Sequence, residues 1–184
     1  MNSHYKLFFT FTLIKIIYIY LVDAIAEDED QSTKLSINAN SFDLTVLKPF
    51  FRFDSLMFVN IANDGYLYEK NSAFFPFYSI ISKGLASGLK TIGLDIHIGY
   101  SFLLITFVFQ ILSIKQFSIL SKLVLKNQRL CDITLNLYIL SPATVFFSAA
   151  YSESLFMFLC LAALTQMYLL VENGFKILNG QLAI

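Results

Sequence analysis

Residues 96–114, IHIGYSFLLITFVFQILSI, form a stretch of 19 positions with no Asp, Glu, Lys or Arg. Coiled as an α-helix the stretch is about 28 Å long, the thickness of a bilayer hydrocarbon core. A chain that enters hydrocarbon must satisfy its backbone groups internally, so only helices and closed barrels cross. A second charge-free run of 18 residues covers 154–171. Two more apolar runs accompany them: 7–22, interrupted by Lys15, and 133–150, which contains Pro142. Hydrophobic residues make up 57% of the chain and charged ones 14%, against about 45–50% and 25% in soluble domains. The expected fold is therefore an all-α membrane protein, one transmembrane domain with spans at about 7–22, 96–114, 133–150 and 154–171.

The first run has a second reading. Lys6 precedes it, and Ala24-Ile25-Ala26 precedes the acidic Glu27-Asp28-Glu29-Asp30, as at a cleaved signal peptide. Both readings send residues 27–95 to the same side. Lys115, Lys122, Lys126 and Arg129, with no acid among residues 115–130, put that segment in the cytosol by the positive-inside rule. The loop 23–95 and the turn Tyr151-Ser152-Glu153 then share the luminal face. At 100° per residue the four cations fall on one stripe, with Phe117, Leu120, Leu123 and Val124 largely opposite. Either a short helix lies on anionic headgroups there, or the neighbouring span extends with a solvated basic face. Net charge is zero, so no global field recruits nucleic acid. Cys131 and Cys160 sit in apolar runs as small hydrophobes, and no metal-ligand spacing is present. Trp is absent while Tyr numbers 10, so Tyr must carry the interfacial belt.

The segment 51–78, FRFDSLMFVNIANDGYLYEKNSAFFPFY, holds the chemistry. On a helix, Arg52, Asn60, Asn63 and Asp64 form a polar arc that excludes Asp54. The helical neighbours of Asp54 are Phe50, Met57, Phe58 and Ile61. Burial among them would desolvate the carboxylate and suit it to general-base work. Asp54 also fits as the N-cap of a helix starting at Ser55. Gly65 is placed to close that helix with positive φ. Tyr66, Tyr68, Phe74 and Phe75, with Glu69, Lys70 and Pro76, make either an interfacial anchor or a wall for a sugar or polyprenyl chain. Arg52, Lys70, Lys83 and Lys90 are the cations available to a lipid phosphate. Pro142 should kink the third span and free the carbonyl of Tyr138. Glu153 suits the N-terminus of the fourth span with Ser152 as cap, and it also lies at the membrane face of Asp54.

These motifs resemble a known family. Arg52-Phe53-Asp54, Asn60-Ile61-Ala62, Gly65-Tyr66-Leu67-Tyr68-Glu69 and Ala73-Phe74-Phe75-Pro76 are similar to the first luminal loop of the GPI mannosyltransferase 2 (PIG-V) family. Ser141-Pro142-Ala143 and Tyr151-Ser152-Glu153-Ser154-Leu155-Phe156 resemble its later motif. The resemblance, from about residue 50 to 170, implies a GT-C glycosyltransferase of the endoplasmic reticulum. It implies transfer of the second, α-1,6-linked mannose from dolichyl-phosphate-mannose, a co-substrate rather than a cofactor, to a GPI precursor. Asp54 would be the general base of an inverting displacement. Arg52, Phe53, Tyr66, Tyr68, Glu69, Lys70, Phe74, Phe75, Pro76, Tyr151 and Glu153 would contact the two lipid-linked substrates, and a small membrane subunit is a candidate partner. Phe53 stands where the family usually has Trp, losing an indole donor. Family members are more than twice this length, so a part of a longer enzyme, inactive alone, is expected. The competing readings are a non-catalytic membrane subunit or truncated regulatory form, and half of a transporter, for which Lys15 is the one mid-span charge.

Overall fold

The computed structural model describes residues 3–25, 41–52, 54–67 and 69–178. Phe53, Tyr68, Ala26 and most of the polar segment 27–41 lie outside the described residues. Every regular element among the described residues is helical. In chain order these are α1 (Ser3–Ile25), α2 (Ser41–Leu47), α3 (Asp54–Asp64), α4 (Phe77–Thr91), α5 (Ile98–Leu125), α6 (Gln128–Leu140) and α7 (Glu153–Leu178). Three 3-10 segments, Lys48–Phe50, Glu69–Ala73 and Pro142–Ser148, join them.

α1, α5 and α7 are each long and apolar enough to cross a membrane. Their surfaces are apolar outside and partly polar inside. Leu13, Ile14, Leu104, Phe156, Leu164 and Leu170 are exposed, whereas Thr12, Lys15, Thr106, Gln110, Ser113 and Thr165 are buried. Lipid tails are as apolar as Leu, so such helices gain nothing by burying apolar faces. They associate through close packing and hydrogen bonds instead. The chain is an all-α membrane protein.

α5 spans 28 residues and passes through Lys115 and Lys122 without a break. No Gly or Pro interrupts residues 100–125, so nothing ends the helix before Lys126, which takes a left-handed φ of 50°. Asn127 then caps α6, its side chain accepting from the Leu130 N–H at 3.3 Å. The basic stretch is thus the end of a span plus a tight turn. The separate headgroup helix is not formed.

The third apolar run is broken. α6 stops at Leu140, and the 3-10 segment after it turns by 63°. Pro142 cannot donate, and the Tyr138 carbonyl is taken up by the Ser141 N–H at 3.4 Å. Lys15 meets the break from α1: its ammonium donates to the Thr144 carbonyl at 3.2 Å and lies 3.4 Å from Thr144 Oγ1. This cation, buried at 7% exposure, supplies a donor where hydrocarbon offers none.

The helices sort their termini into two ends. At one, His4 of α1 contacts Asp132 and Asn136 of α6, each at 3.0 Å, beside the last turns of α5. At the other, Asp23 of α1 pairs with Arg52, and the Ala150 N–H donates to the Phe50 carbonyl at 3.1 Å. The loop between the first two spans is compact there. α4 packs on both α3 and α5, Ser79 Oγ donates to the Phe58 carbonyl at 2.8 Å, and Tyr100 OH donates to Asp43 at 2.7 Å. Gly99 leaves room for Leu47: a Cβ there would lie 2.6 Å from Leu47 Cδ1, and that side chain would have to shift.

The core of this end is aromatic. Phe102, fully buried, meets Phe51 edge-on at 6.3 Å and Tyr78 at 5.1 Å. Tyr78 OH lies 2.6 Å from Thr106 Oγ1, so the buried phenol is satisfied. Phe102→Ala should cost about 3–5 kcal/mol through lost packing and the cavity left behind. In a double-mutant cycle with Phe51→Ala the combined loss should fall short of the sum by about 1 kcal/mol. Thermal unfolding of the purified protein in detergent measures both; strict additivity would disprove the Phe51–Phe102 contact.

Candidate active site at the Asp54 end

Asp54 opens α3 as its first helical residue. Ser55 behind it is fixed by two bonds to the Arg52 carbonyl, from its N–H at 3.1 Å and its hydroxyl at 2.7 Å. Leu56, Phe58, Val59, Ile61 and Ala62 of the same helix are buried. Gly65 ends the helix at φ 74°, its N–H bonded to the Ile61 carbonyl at 3.0 Å. The position of Asp54 is therefore rigidly set by the helix under it.

Asp54 itself is exposed, which corrects the expectation of a carboxylate desolvated by its apolar neighbours. Phe58 and Ile61 do turn inward, but Cα–Cβ bonds tilt toward a helix N-terminus. A side chain in the first turn has no preceding turn to cover it and projects past the helix end.

What lies beside Asp54 is the Tyr151-Ser152-Glu153 turn. Ser152 occupies the cap position of α7, its carbonyl accepting the Phe156 N–H at 2.9 Å. Buried Ser154 fastens the turn: its hydroxyl donates to the Phe147 carbonyl at 3.0 Å, and its carbonyl accepts from Ser113 Oγ at 3.2 Å. The charge of Asp54 acts on both Tyr151 and Glu153. The Ala150 N–H to Phe50 carbonyl bond, at 3.1 Å, ties the two segments together.

The other candidate residues divide. Arg52 is engaged with Asp23 and lies within electrostatic reach of Tyr151. Lys90 pairs with Asp95 at 3.3 Å in solvent, while Lys83 is exposed on α4 and Lys70 in the Glu69–Ala73 turn. Tyr66 is exposed and ties the aromatic loop, its hydroxyl donating to the Phe74 carbonyl at 2.6 Å. Phe74 packs edge-on to Phe58 at 5.3 Å. Phe75 stands out, 78% exposed, beside half-buried Pro76, and Glu69 is exposed. Phe53 and Tyr68 are outside the described residues. Asp54 borders neither of the two cavities described. One of about 130 Å³ lies beneath Phe50 between α1 and α5, and one of about 450 Å³ opens at the opposite end.

Two residues that sequence reasoning passed over matter here. Asp23 orients Arg52 and ties α1 to the loop. Asn71, fully buried, donates to the Gly65 carbonyl at 3.4 Å and holds the aromatic turn against α3. A search for the acid that could pair with a lone arginine at the same face would have found Asp23.

Burial first, then the charges of Asp54 and Glu153, hold the half-buried Tyr151 phenol above its ordinary pKa; Arg52 acts in the opposite sense. Ionising the phenol adds a negative charge, so removing a nearby negative charge eases it. Asp54→Asn should lower the titration midpoint of Tyr151, and Arg52→Gln should raise it. Alkaline absorbance titration, read as the difference from a Tyr151→Phe protein, measures the shift. An unchanged midpoint in both variants would show that the two segments do not meet.

Comparison with known proteins gives the family. The family model described as mannosyltransferase (PIG-V) matches residues 4–178, well beyond the stretch of about 50–170 that carries the motifs. GPI mannosyltransferase 2 of Yarrowia lipolytica is 30% identical over 169 residues, covering 92% of this chain and 43% of that protein. GPI alpha-1,6-mannosyltransferase 2 of Cricetulus griseus is 35% identical over 126 residues, covering 63% of this chain and 24% of its own length. The human protein of the same name is 34% identical over 119 residues. The chain thus spans between about a quarter and under half of these relatives. No solved structure matches it. With nearly its whole length matched, the chain belongs to the PIG-V mannosyltransferase family.

Proposed function

We propose that this chain carries the acceptor-activating part of a GPI mannosyltransferase of the endoplasmic reticulum membrane. The enzyme would move the second, α-1,6-linked mannose from dolichyl-phosphate-mannose to a GPI precursor. The observation that carries the reading is that Asp54 lies within electrostatic reach of Tyr151 and Glu153 at one end of the bundle, where the Phe50–Ala150 backbone bond joins the two segments. Family membership supplies the reaction class, and the names of the relatives supply the linkage and the acceptor.

Asp54 is the general base of this proposal. Standing at a helix start and open to solvent, it is within reach of a sugar hydroxyl arriving from the water side. The hydroxyl oxygen attacks the anomeric carbon of mannose while its proton passes to the Asp54 carboxylate. The bond from that carbon to the phosphate oxygen breaks, dolichyl phosphate leaves, and configuration inverts. A single displacement of this kind needs one carboxylate as base and no second one as nucleophile. Glu153 adds negative charge beside Asp54, which favours a proton arriving between them. Tyr66 and Phe75 offer exposed rings to sugar or lipid. The basic far end of the bundle faces the cytosol under the positive-inside rule, which leaves the Asp54 end luminal.

A chimera tests the proposal. Residues 3–178 replace the matching part of the Yarrowia lipolytica relative in cells lacking that protein. The chimera should restore elongation of the one-mannose GPI precursor. Asp54→Asn in the chimera should cut transfer by about 10²–10⁴-fold at unchanged membrane abundance, with Asp64→Asn as a control near full activity. Undiminished transfer by Asp54→Asn would remove Asp54 from the base role.

A further inference from the structure

The larger cavity, of about 450 Å³, lies at the end of the bundle away from Asp54, where the proposed reaction has no use for it. His4 and Tyr5 of α1, Lys115, Ser118 and Lys122 of α5, and Asp132 of α6 line it. Lys115, Ser118 and Lys122 are spaced i, i+3 and i+7, so one face of α5 presents two ammonium groups with a hydroxyl between them. Both lysines are exposed, and neither has an ion-pair partner among the described residues.

Asp132 is the only acid among the lining residues, and it is already occupied. One carboxylate oxygen receives both the His4 ring at 3.0 Å and the Gln128 amide at 2.8 Å. The other ring nitrogen of His4 contacts Asn136 Oδ1 at 3.0 Å. This cluster fastens α1 to α6 and turns the acid toward its donors. Lys115 and Lys122 bring two positive charges against the one negative charge of Asp132, so the lining keeps a net positive charge.

Depth narrows the ligand. The charge-free part of α5, residues 98–114, is about 25 Å long as a helix. Lys115 follows it directly and so stands at the hydrocarbon boundary, with Lys122 two turns further out. Lipid phosphates lie at that level, and cations there attract anionic headgroups. A lysine pair binds phosphate as point charges, and Ser118 adds a donor between them.

We propose that this cavity is a binding site for a phosphate ester, supplied by an anionic lipid headgroup on the membrane face opposite Asp54. Lys115 and Lys122 hold the phosphate, and the His4–Asp132–Gln128 cluster keeps the wall of α1 and α6 in place.

The test uses the whole chain in nanodiscs of phosphatidylcholine with or without phosphatidic acid. Native mass spectrometry counts the lipid retained after release. Phosphatidic acid should be retained over phosphatidylcholine. The double variant K115Q/K122Q should lose roughly tenfold or more of that retention. K83Q/K90Q, which removes two lysines at the other end, should keep it. Equal retention by K115Q/K122Q, or no preference for phosphatidic acid, would overturn the site. Displacement by inorganic phosphate or glycerol 3-phosphate at matched concentration would assign the cavity to a soluble phosphate ester and overturn the lipid source. The readout requires no mannose transfer, so its failure and that of the catalytic proposal are separately visible.

Discussion

Backbone carbonyls have no water to turn to inside a bilayer, and the break at Pro142 creates such carbonyls in the middle of this protein. Lys15 donates to one of them; the short turns Ser141-to-Tyr138 and Thr144-to-Ser141 use others. The break makes a bend of 63°, and the bend has a consequence at the membrane face. The chain leaving the 3-10 segment brings Ala150 to the Phe50 carbonyl, and from there the Tyr151-Ser152-Glu153 turn comes to rest beside Asp54. A straight third span would run on through residues 142–148 and lose the lateral step. The site thus depends on a helix that fails, and on a buried ammonium that makes the failure tolerable.

Much of this was legible in the residues. Charge-free runs of bilayer length announced the spans, because hydrocarbon excludes charge. Gly65 announced the end of α3, because few other residues tolerate positive φ. Pro142 announced the kink. That the Asp54 segment and the Tyr151 turn lie at the same end of the bundle followed from counting membrane crossings; how near they come did not. Contacts between distant elements were not legible in the same way. Helical periodicity around Asp54 assigns it an apolar face, but periodicity contains no helix end. The first turn has nothing N-terminal to cover it, and Asp54 is exposed for that reason. The basic stretch 115–130 misled differently. Its amphipathic pattern fits a helix on the membrane surface and the tail of a spanning helix equally well, and only the absence of a breaker before Lys126 separates them. His4 and Asp23 gave no local signal, since each acts through a residue more than 25 positions away.

The exposure of Asp54 changes what the residue can do. A buried base gains from desolvation but must be reached through protein. An exposed one is open to a large acceptor, which is what the proposed lipid-linked acceptor, arriving along the membrane surface, would require. The Asp54 end is furnished for such an encounter. Tyr66, Leu67 and Phe75 project from one short stretch, and apolar residues at an interface anchor in lipid or stack on sugar. The rigid part is underneath, in the buried contacts of Phe51, Phe58, Tyr78 and Phe102. On the proposed function, a carboxylate held at a fixed helix start above a firm floor would suit the joining of two membrane-bound substrates.

Lys15 finally separates the enzyme reading from a transport reading. A cation in mid-span often marks a path for ions or substrates. Such a cation needs alternative partners along the path, since it must exchange one for another as cargo passes. Lys15 has a backbone carbonyl and a threonine hydroxyl on one side and the Phe11 ring 5.5 Å from its nitrogen. Each of these is fixed by helix geometry, and none is a carboxylate that could trade the charge. Movement of Lys15 would leave the Thr144 carbonyl with the weaker, 3.4 Å bond from Ser148 Oγ and would strand the ammonium itself in hydrocarbon, which costs free energy. The charge therefore serves the packing of α1 against the break at Pro142.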